Sequence, residues 1–249
     1  MERKRENSDI IKRLLDGLSR YRYQSYEPLK VTFRLGSPVA LNHPWIYLDS
    51  TVMFLMVRDV LGPDFYTVNL NELLYHRQEI LSPDSISCPI QYKHGLFMCS
   101  ASVLDINSKY LETIYKRVEP RWMGRKKKVA LNSGYFINFM IRHIYVPASS
   151  VTFYLSGNRE GLDGLLRNLN GIGDNTRIGW GKIRGFEIER TDMDYSLVKE
   201  GRAMRPIPVE LLKDYSEAIP LTYRPPYWDR RNVRLCAPPG ARVVLKDGT

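Results

Sequence analysis

Cysteine is scarce in these 249 residues: Cys88, Cys99 and Cys236 are odd in number, widely spaced and without a Cys-x-x-Cys pair. That pattern argues against a disulfide framework or a thiolate zinc site and leaves buried free thiols as the reading. There are 4 histidines. No P-loop, G-x-S-x-G elbow or clustered metal ligands occur, so triphosphatase and serine-hydrolase chemistry lack their residues. No apolar run approaches the roughly 18 residues that a membrane helix needs. The start, Met1-Glu-Arg-Lys-Arg-Glu, has no apolar stretch of a secretory kind, so the expectation is a cytoplasmic protein with no membrane contact.

Acidic residues are also in the minority, 27 against 37 basic ones, for a net charge of +10. Such a balance attracts nucleic acid or another polyanion. With 43% hydrophobic residues over this length, the chain can bury a real core, and one elaborated domain is the expectation.

Local patterns then place the elements. Ile10, Ile11, Leu14, Leu15 and Leu18 fall at helical spacing behind Ser8-Asp9, with Lys12, Arg13 and Arg20 on or beside the polar side: a short basic amphipathic helix. Leu29–Leu35 alternates apolar and polar residues as a half-buried strand does, and Gly36-Ser37-Pro38 ends it. Asp49-Ser50-Thr51 precedes the apolar helix Val52–Leu61, which Gly62-Pro63 closes; Asp49 is read as its cap. From about 86 to 118 short strands follow, with a hairpin turn at Lys93-His94-Gly95, and residues 135–146 and 151–156 read as strands. Asn158 caps a second helix carrying Leu162, Leu165, Leu166 and Leu169, and Lys182–Ile188 alternates again.

The order strand, helix, strands, helix, strand predicts an α+β chain of the ferredoxin-like, RRM-like βαββαβ kind. The expected organisation is a basic helical extension over 1–27, the ferredoxin-like domain over 28–190 with a basic insertion around 116–134, and a proline-rich extension over 191–249.

Between the second helix and the last strand runs Gly171-Ile-Gly173-Asp-Asn175-Thr-Arg177-Ile-Gly179-Trp180-Gly181-Lys182. Glycine has no Cβ and accepts positive φ, so such a backbone can approach a phosphate closely. A dinucleotide-binding loop follows a strand and opens a helix; this one does the reverse, and Thr176 replaces the third glycine of G-x-G-x-x-G. No nicotinamide, flavin or other cofactor is expected.

The strand ending in Ser37-Pro38-Val39, the Leu48-Asp49 lead-in to an apolar helix, and the Gly-x-Gly…Arg-x-Gly-Trp-Gly-Lys loop together resemble the RAMP superfamily of CRISPR proteins. Within it the chain is most similar to the small type IV subunit of the Cas-five group. The resemblance spans about residues 29–190, with Pro225-Pro226-Tyr227-Trp228 as a further echo. It implies a non-catalytic subunit that grips the 5′ handle of the guide RNA. The implied partners are a backbone subunit, the large or small effector subunits, and target DNA near the protospacer-adjacent motif.

Under that resemblance, Gly171, Gly173, Asn175, Gly179 and Gly181 close the backbone on the strand, Arg177 and Lys182 reach phosphates, and Trp180 stacks on a base. Lys116, Arg117, Arg121, Trp122, Arg125, Lys126, Lys127 and Lys128 form a thumb-like basic arm that lies along nucleic acid, and Arg142 and His143 face RNA from a strand. The segment Tyr223–Arg231 presents aromatics and arginines together as a third place for RNA, or equally docks on the domain or on a neighbouring subunit. Relatives that cut precursor guide RNA without metal supply the alternative, an endoribonuclease using Lys126 or Lys127, His143 and a tyrosine. His43, His76 and His94 sit in turn-like or helical contexts with no partner at a telling spacing.

Overall fold

A computed structural model describes residues 2–66, 87–104, 108–119, 121, 124–125, 130–132 and 137–248. In chain order these form helix α1 (Glu2–Leu18), strands β1 (Glu27–Leu35) and β2 (Val39–Ala40), helix α2 (Leu48–Leu61), and strands β3 (Tyr92–Lys93), β4 (Leu96–Phe97), β5 (Val103–Leu104), β6 (Tyr110–Lys116), β7 (Phe139–Val146) and β8 (Ser150–Gly157). Helix α3 (Arg159–Leu166) and strand β9 (Ile183–Arg190) follow. The remainder carries short strands: β10 (Val198–Lys199), β11 (Arg202–Ala203), β12 (Ile207–Pro208), β13 (Leu212–Tyr215), β14 (Ile219–Thr222), β15 (Val233–Ala237) and β16 (Val243–Leu245).

The central sheet has the order β5-β8-β1-β9 with every neighbouring pair antiparallel. Alternation along β1 buries Leu29, Val31, Phe33 and Leu35, which meet Val151, Phe153 and Leu155 of β8 and Ile188 of β9 in one core. Helices α1, α2 and α3 feed that core, through Leu14 and Leu18, Val52 and Leu55, and Leu162 and Leu166. Each such leucine contributes about 1.5–3 kcal/mol relative to exposure. Helix α1 approaches α2 closely because residue 17 is glycine: a Cβ there would lie 2.2 Å from a Val60 methyl. On the sheet's other face Lys30 pairs with Glu189 at 2.9 Å and Arg34 with Glu187 at 3.0 Å.

Caps and turns follow local chemistry. The Asn158 side chain accepts from the Gly161 amide at 2.9 Å and starts α3. His94 (φ 53°) and Gly95 (φ 76°) turn the β3–β4 hairpin. Asp49 departs from the capping role expected of it. The helix begins a residue earlier, Tyr47 is the N-cap without a side-chain bond, and Asp49 is 1% exposed inside the first turn. Its Oδ1 does accept from the Ser50 amide at 2.7 Å, but its other oxygen faces Arg205 and Tyr227, far along the chain.

Two further units stand on this frame. Strands β6 and β7 pair along their whole length, from Tyr110↔Tyr145 to Lys116↔Phe139, and β2 joins the base of the ribbon through Val39↔Val146. The basic run is the connection between β6 and β7. The second unit, over 191–248, has its own core of Leu197, Ala203, Ile207, Leu212, Ala237, Ala241 and Val243, completed by Leu96 and Met98. Phe97 and Cys99, alternating with those two, belong to the first core. The three cysteines are buried and free, and burial pushes the Cys88 thiol up to about 12.

Candidate nucleic-acid interface

The glycine-rich loop leaves α3 and closes on itself where the Ile172 amide donates to the Gly181 carbonyl at 2.9 Å and the Ile183 amide to Asn170 at 3.0 Å. It is pinned to the β1–β2 turn. The Gly181 amide donates to Pro38 at 2.8 Å, and the Ser37 hydroxyl donates to the Gly179 carbonyl at 2.7 Å while accepting from the Lys182 amide at 2.9 Å. Further along that turn, the Asp174 amide donates to Ala40 at 2.9 Å and its carboxylate accepts from the Asn42 amide at 2.6 Å. The Ser-Pro pair that ends the first strand is thus the bracket that holds the loop.

Packing demands two of the glycines. A Cβ on Gly181 (φ 59°) would lie 1.8 Å from the Ile172 carbonyl oxygen, and one on Gly173 (φ 89°) would lie 2.6 Å from Val39. Gly179 (φ 102°) has open space around it and is exposed. Gly171 bridges to Lys182. The short turn Thr176–Ile178 lies between, entered through Asn175 in the left-handed region at φ 56°. Among the described residues, the amides of Thr176, Arg177 and Trp180 donate to no protein acceptor.

Side chains from the ribbon meet this loop. The Trp180 ring, half-buried, packs on Tyr145 with centroids 5.0 Å apart, and Tyr145 stacks on Tyr110 at 5.5 Å. Nδ1 of His143 lies 3.1 Å from the Asn175 side-chain nitrogen, and His143 is 8% exposed. Around this seam Arg177, Lys182 and Arg184 are exposed, and the Arg184 side chain lies against Gly36, whose Cβ would come within 2.9 Å of it.

Of the residues singled out in the sequence, the structure therefore brings together Asn175, Trp180, His143, Arg177 and Lys182. Arg142 lies on the opposite face of the ribbon, beside Thr113 in the register. Lys116 ends β6 on the His143 face, Arg117 lies 5.9 Å from the Tyr115 ring centre, Arg121 pairs with Glu119, and Arg125 is exposed. Trp122, Lys126, Lys127, Lys128 and His76 lie outside the described residues. Tyr110 and Arg184 were not foreseen. Their signal is the antiparallel register, which sets Tyr110 opposite Tyr145, and the strand that carries Arg184 straight out of the loop.

The C-terminal aromatic segment resolves in favour of docking at one of its residues. Tyr227 stacks on Tyr47 with centroids 3.8 Å apart and donates its hydroxyl to Asp49 at 2.8 Å. Arg205, wholly buried, reaches Asp49 at 3.3 Å, the Tyr223 carbonyl at 2.7 Å, the Cys99 carbonyl at 3.0 Å and the Phe97 carbonyl. Burial pushes the Asp49 carboxyl up, while Arg205, the Tyr227 hydroxyl and the Ser50 amide stabilise its charged form. This cluster joins four segments, around residues 47–49, 97–99, 205 and 223–227, and is structural.

Among the described residues no three His, Cys, Asp or Glu side chains are grouped to hold a metal, and no helix is long and apolar enough to cross a membrane.

No curated protein matches the chain. Among solved structures, it is similar to a chain of a type III-B Cmr-beta complex, determined by cryo-EM with cognate target RNA bound. That similarity has a TM-score of 0.38 and 11% identity over 76% of this chain and 67% of the other. The family of the CRISPR type IV associated protein Csf3 matches residues 103–239, more than half the chain and the part that contains β6 and β7, the glycine loop, Arg205 and Tyr227; the chain belongs to that family.

Proposed function

We propose that this protein is a non-catalytic, guide-RNA-binding subunit of a type IV CRISPR effector complex that anchors the 5′ handle of the guide. The observation that carries the reading is the meeting of the glycine loop and the ribbon. There, unpartnered amides, the exposed cations Arg177, Lys182 and Arg184, and the Trp180–Tyr145–Tyr110 column share one seam. Splayed RNA bases stack on aromatic planes while amides and guanidinium groups hold phosphates, so the seam offers both kinds of contact. Family membership supports the complex, and the sheet order supports reading the domain as ferredoxin-like and RRM-like.

The ribbon carries the His143 face on to Lys116 at the end of β6, and the basic connection follows it in the sequence. They are suited to follow the RNA toward a neighbouring backbone subunit and the large or small subunits, with target DNA beyond. A nuclease role finds less support, because His143 is nearly buried and engaged with Asn175.

The test is the purified chain with repeat RNA in EDTA. Intact RNA that stays bound, with preference for a repeat-derived 5′ tag over random RNA, is the expected result. Specific cleavage within the repeat would establish the enzyme instead. Equal affinity for tag and random RNA would remove the handle from the reading.

A further inference from the structure

The segment 223–234 is braced more heavily than an extended tail requires. The Tyr223 amide donates to the Asn232 carbonyl at 3.2 Å and closes it. Within it, the Asn232 side-chain nitrogen donates to the carbonyls of Pro225 and Pro226, each at 3.3 Å. Asp229 caps a turn by accepting from the Arg231 amide at 3.0 Å. Tyr227 roots the loop in the protein through Asp49 and Tyr47.

This scaffold displays an aromatic ring among cations. Trp228, next to the root, is 53% exposed, and Arg230, Arg231 and Arg234 are exposed beside it. Arg234 folds back along the turn, with Nη1 donating to the Val233 carbonyl at 3.0 Å and lying 3.5 Å from the Arg231 carbonyl. Asp229 is the one acid in the segment, and its side chain is 9% exposed against Arg231. The outward charge is therefore cationic. An indole held by a rigid loop loses little freedom when a base stacks on it, and guanidinium groups pair with phosphate oxygens in fixed geometry.

We propose that Trp228, Arg230, Arg231 and Arg234 form a second nucleic-acid site. It takes a single-stranded segment, stacking one base on Trp228 and pairing the flanking phosphates with the arginines. Both a stretch of guide RNA and a displaced DNA strand have this chemistry.

The test uses the full chain with oligo-U and oligo-dT of about 16 nucleotides, within the range that single-strand sites occupy. The oligomers carry photoreactive bases, and crosslinks are mapped by mass spectrometry. A crosslink on the peptide bearing Trp228 is expected, with affinity falling about 5-fold or more in Trp228→Ala and recovering in Trp228→Phe. Preference for oligo-U assigns the site to RNA, and preference for oligo-dT to a DNA strand. Trp180→Ala leaves this crosslink in place, so loss of the handle reading does not remove the second site. A folded Trp228→Ala chain with unchanged affinity and crosslinks elsewhere overturns the proposal. So does Trp228-dependent capture of an acidic peptide without binding of either oligomer.

Discussion

The side chains of Asn175 and His143 meet at 3.1 Å, and this contact ties the glycine loop to the ribbon. With the amide nitrogen donating, Nδ1 of the imidazole accepts and the ring proton of the neutral form sits on Nε2. Asn175 already occupies the left-handed region, so Asn175→Gly keeps the backbone at no steric cost and deletes only the bond. The expected outcome is handle-RNA affinity weaker by about 1 kcal/mol, the net worth of such a bond, with the fold intact by circular dichroism. Fluorescence anisotropy with labelled handle RNA measures it. Unchanged affinity would mean that the loop holds its shape without the ribbon.

Trp180 carries the stacking half of the proposed site. Trp180→Ala is expected to cost on the order of 1–3 kcal/mol in RNA affinity, and Trp180→Phe to recover much of it. Packing on Tyr145 gives the ring a structural role too, so melting curves of both variants accompany the titrations. A folded alanine variant with full affinity takes Trp180 out of the interface.

Arg177 and Lys182 carry the electrostatic half. Each phosphate contact to a single strand contributes roughly 0.7 to the slope of log affinity against log salt, so the double alanine variant is expected to flatten it by about 1.4. Binding measured across a potassium chloride series reads this directly, and an unaltered slope would place the phosphates elsewhere.

The two kinds of loop glycine separate in stability. Gly181→Ala drives a methyl into the Ile172 carbonyl and is expected to destabilise the protein by more than about 2 kcal/mol, whereas Gly179→Ala meets open space and costs only the backbone strain of about 1–3 kcal/mol. Urea denaturation gives both numbers. Equal losses would mean that the crowding at Gly181 is relieved by a backbone shift.

Arg205→Ala leaves Asp49 buried without its countercharge and takes a donor from the Phe97, Cys99 and Tyr223 carbonyls and from the Tyr227 hydroxyl, for an expected loss of about 3–5 kcal/mol. Thermal unfolding checks this, and a loss below about 1 kcal/mol would show that water replaces the guanidinium.

Where a local signal exists, the sequence is a good guide. The alternation of Leu29 to Leu35, the Asn158 cap, the stop at Gly62 and the His94-Gly95 turn each depend on neighbours in the chain, and each element stands where those neighbours put it. Asp49 shows the opposite case. A carboxylate before an apolar helix reads as a cap, but the partner that claims it, Arg205, is 156 residues away and carries no local mark except an apolar setting. The ribbon is hard to delimit for a different reason: both its faces meet solvent over much of their length, so burial imposes no period of two. At the candidate site the residue types were legible, whereas their faces were not. Arg142 and His143 are adjacent in the chain and therefore point to opposite sides of the strand.

The tetrad Leu96-Phe97-Met98-Cys99 sends its odd and even members into different interiors, like a zip tooth engaged on both tapes. Pulling the final sixty or so residues away would strip Leu96 and Met98 bare and tug Phe97 and Cys99 out of register. The two halves are consequently expected to melt as a single cooperative transition, and a chain shortened after Arg190 to collect in inclusion bodies instead of surviving as a free-standing lobe.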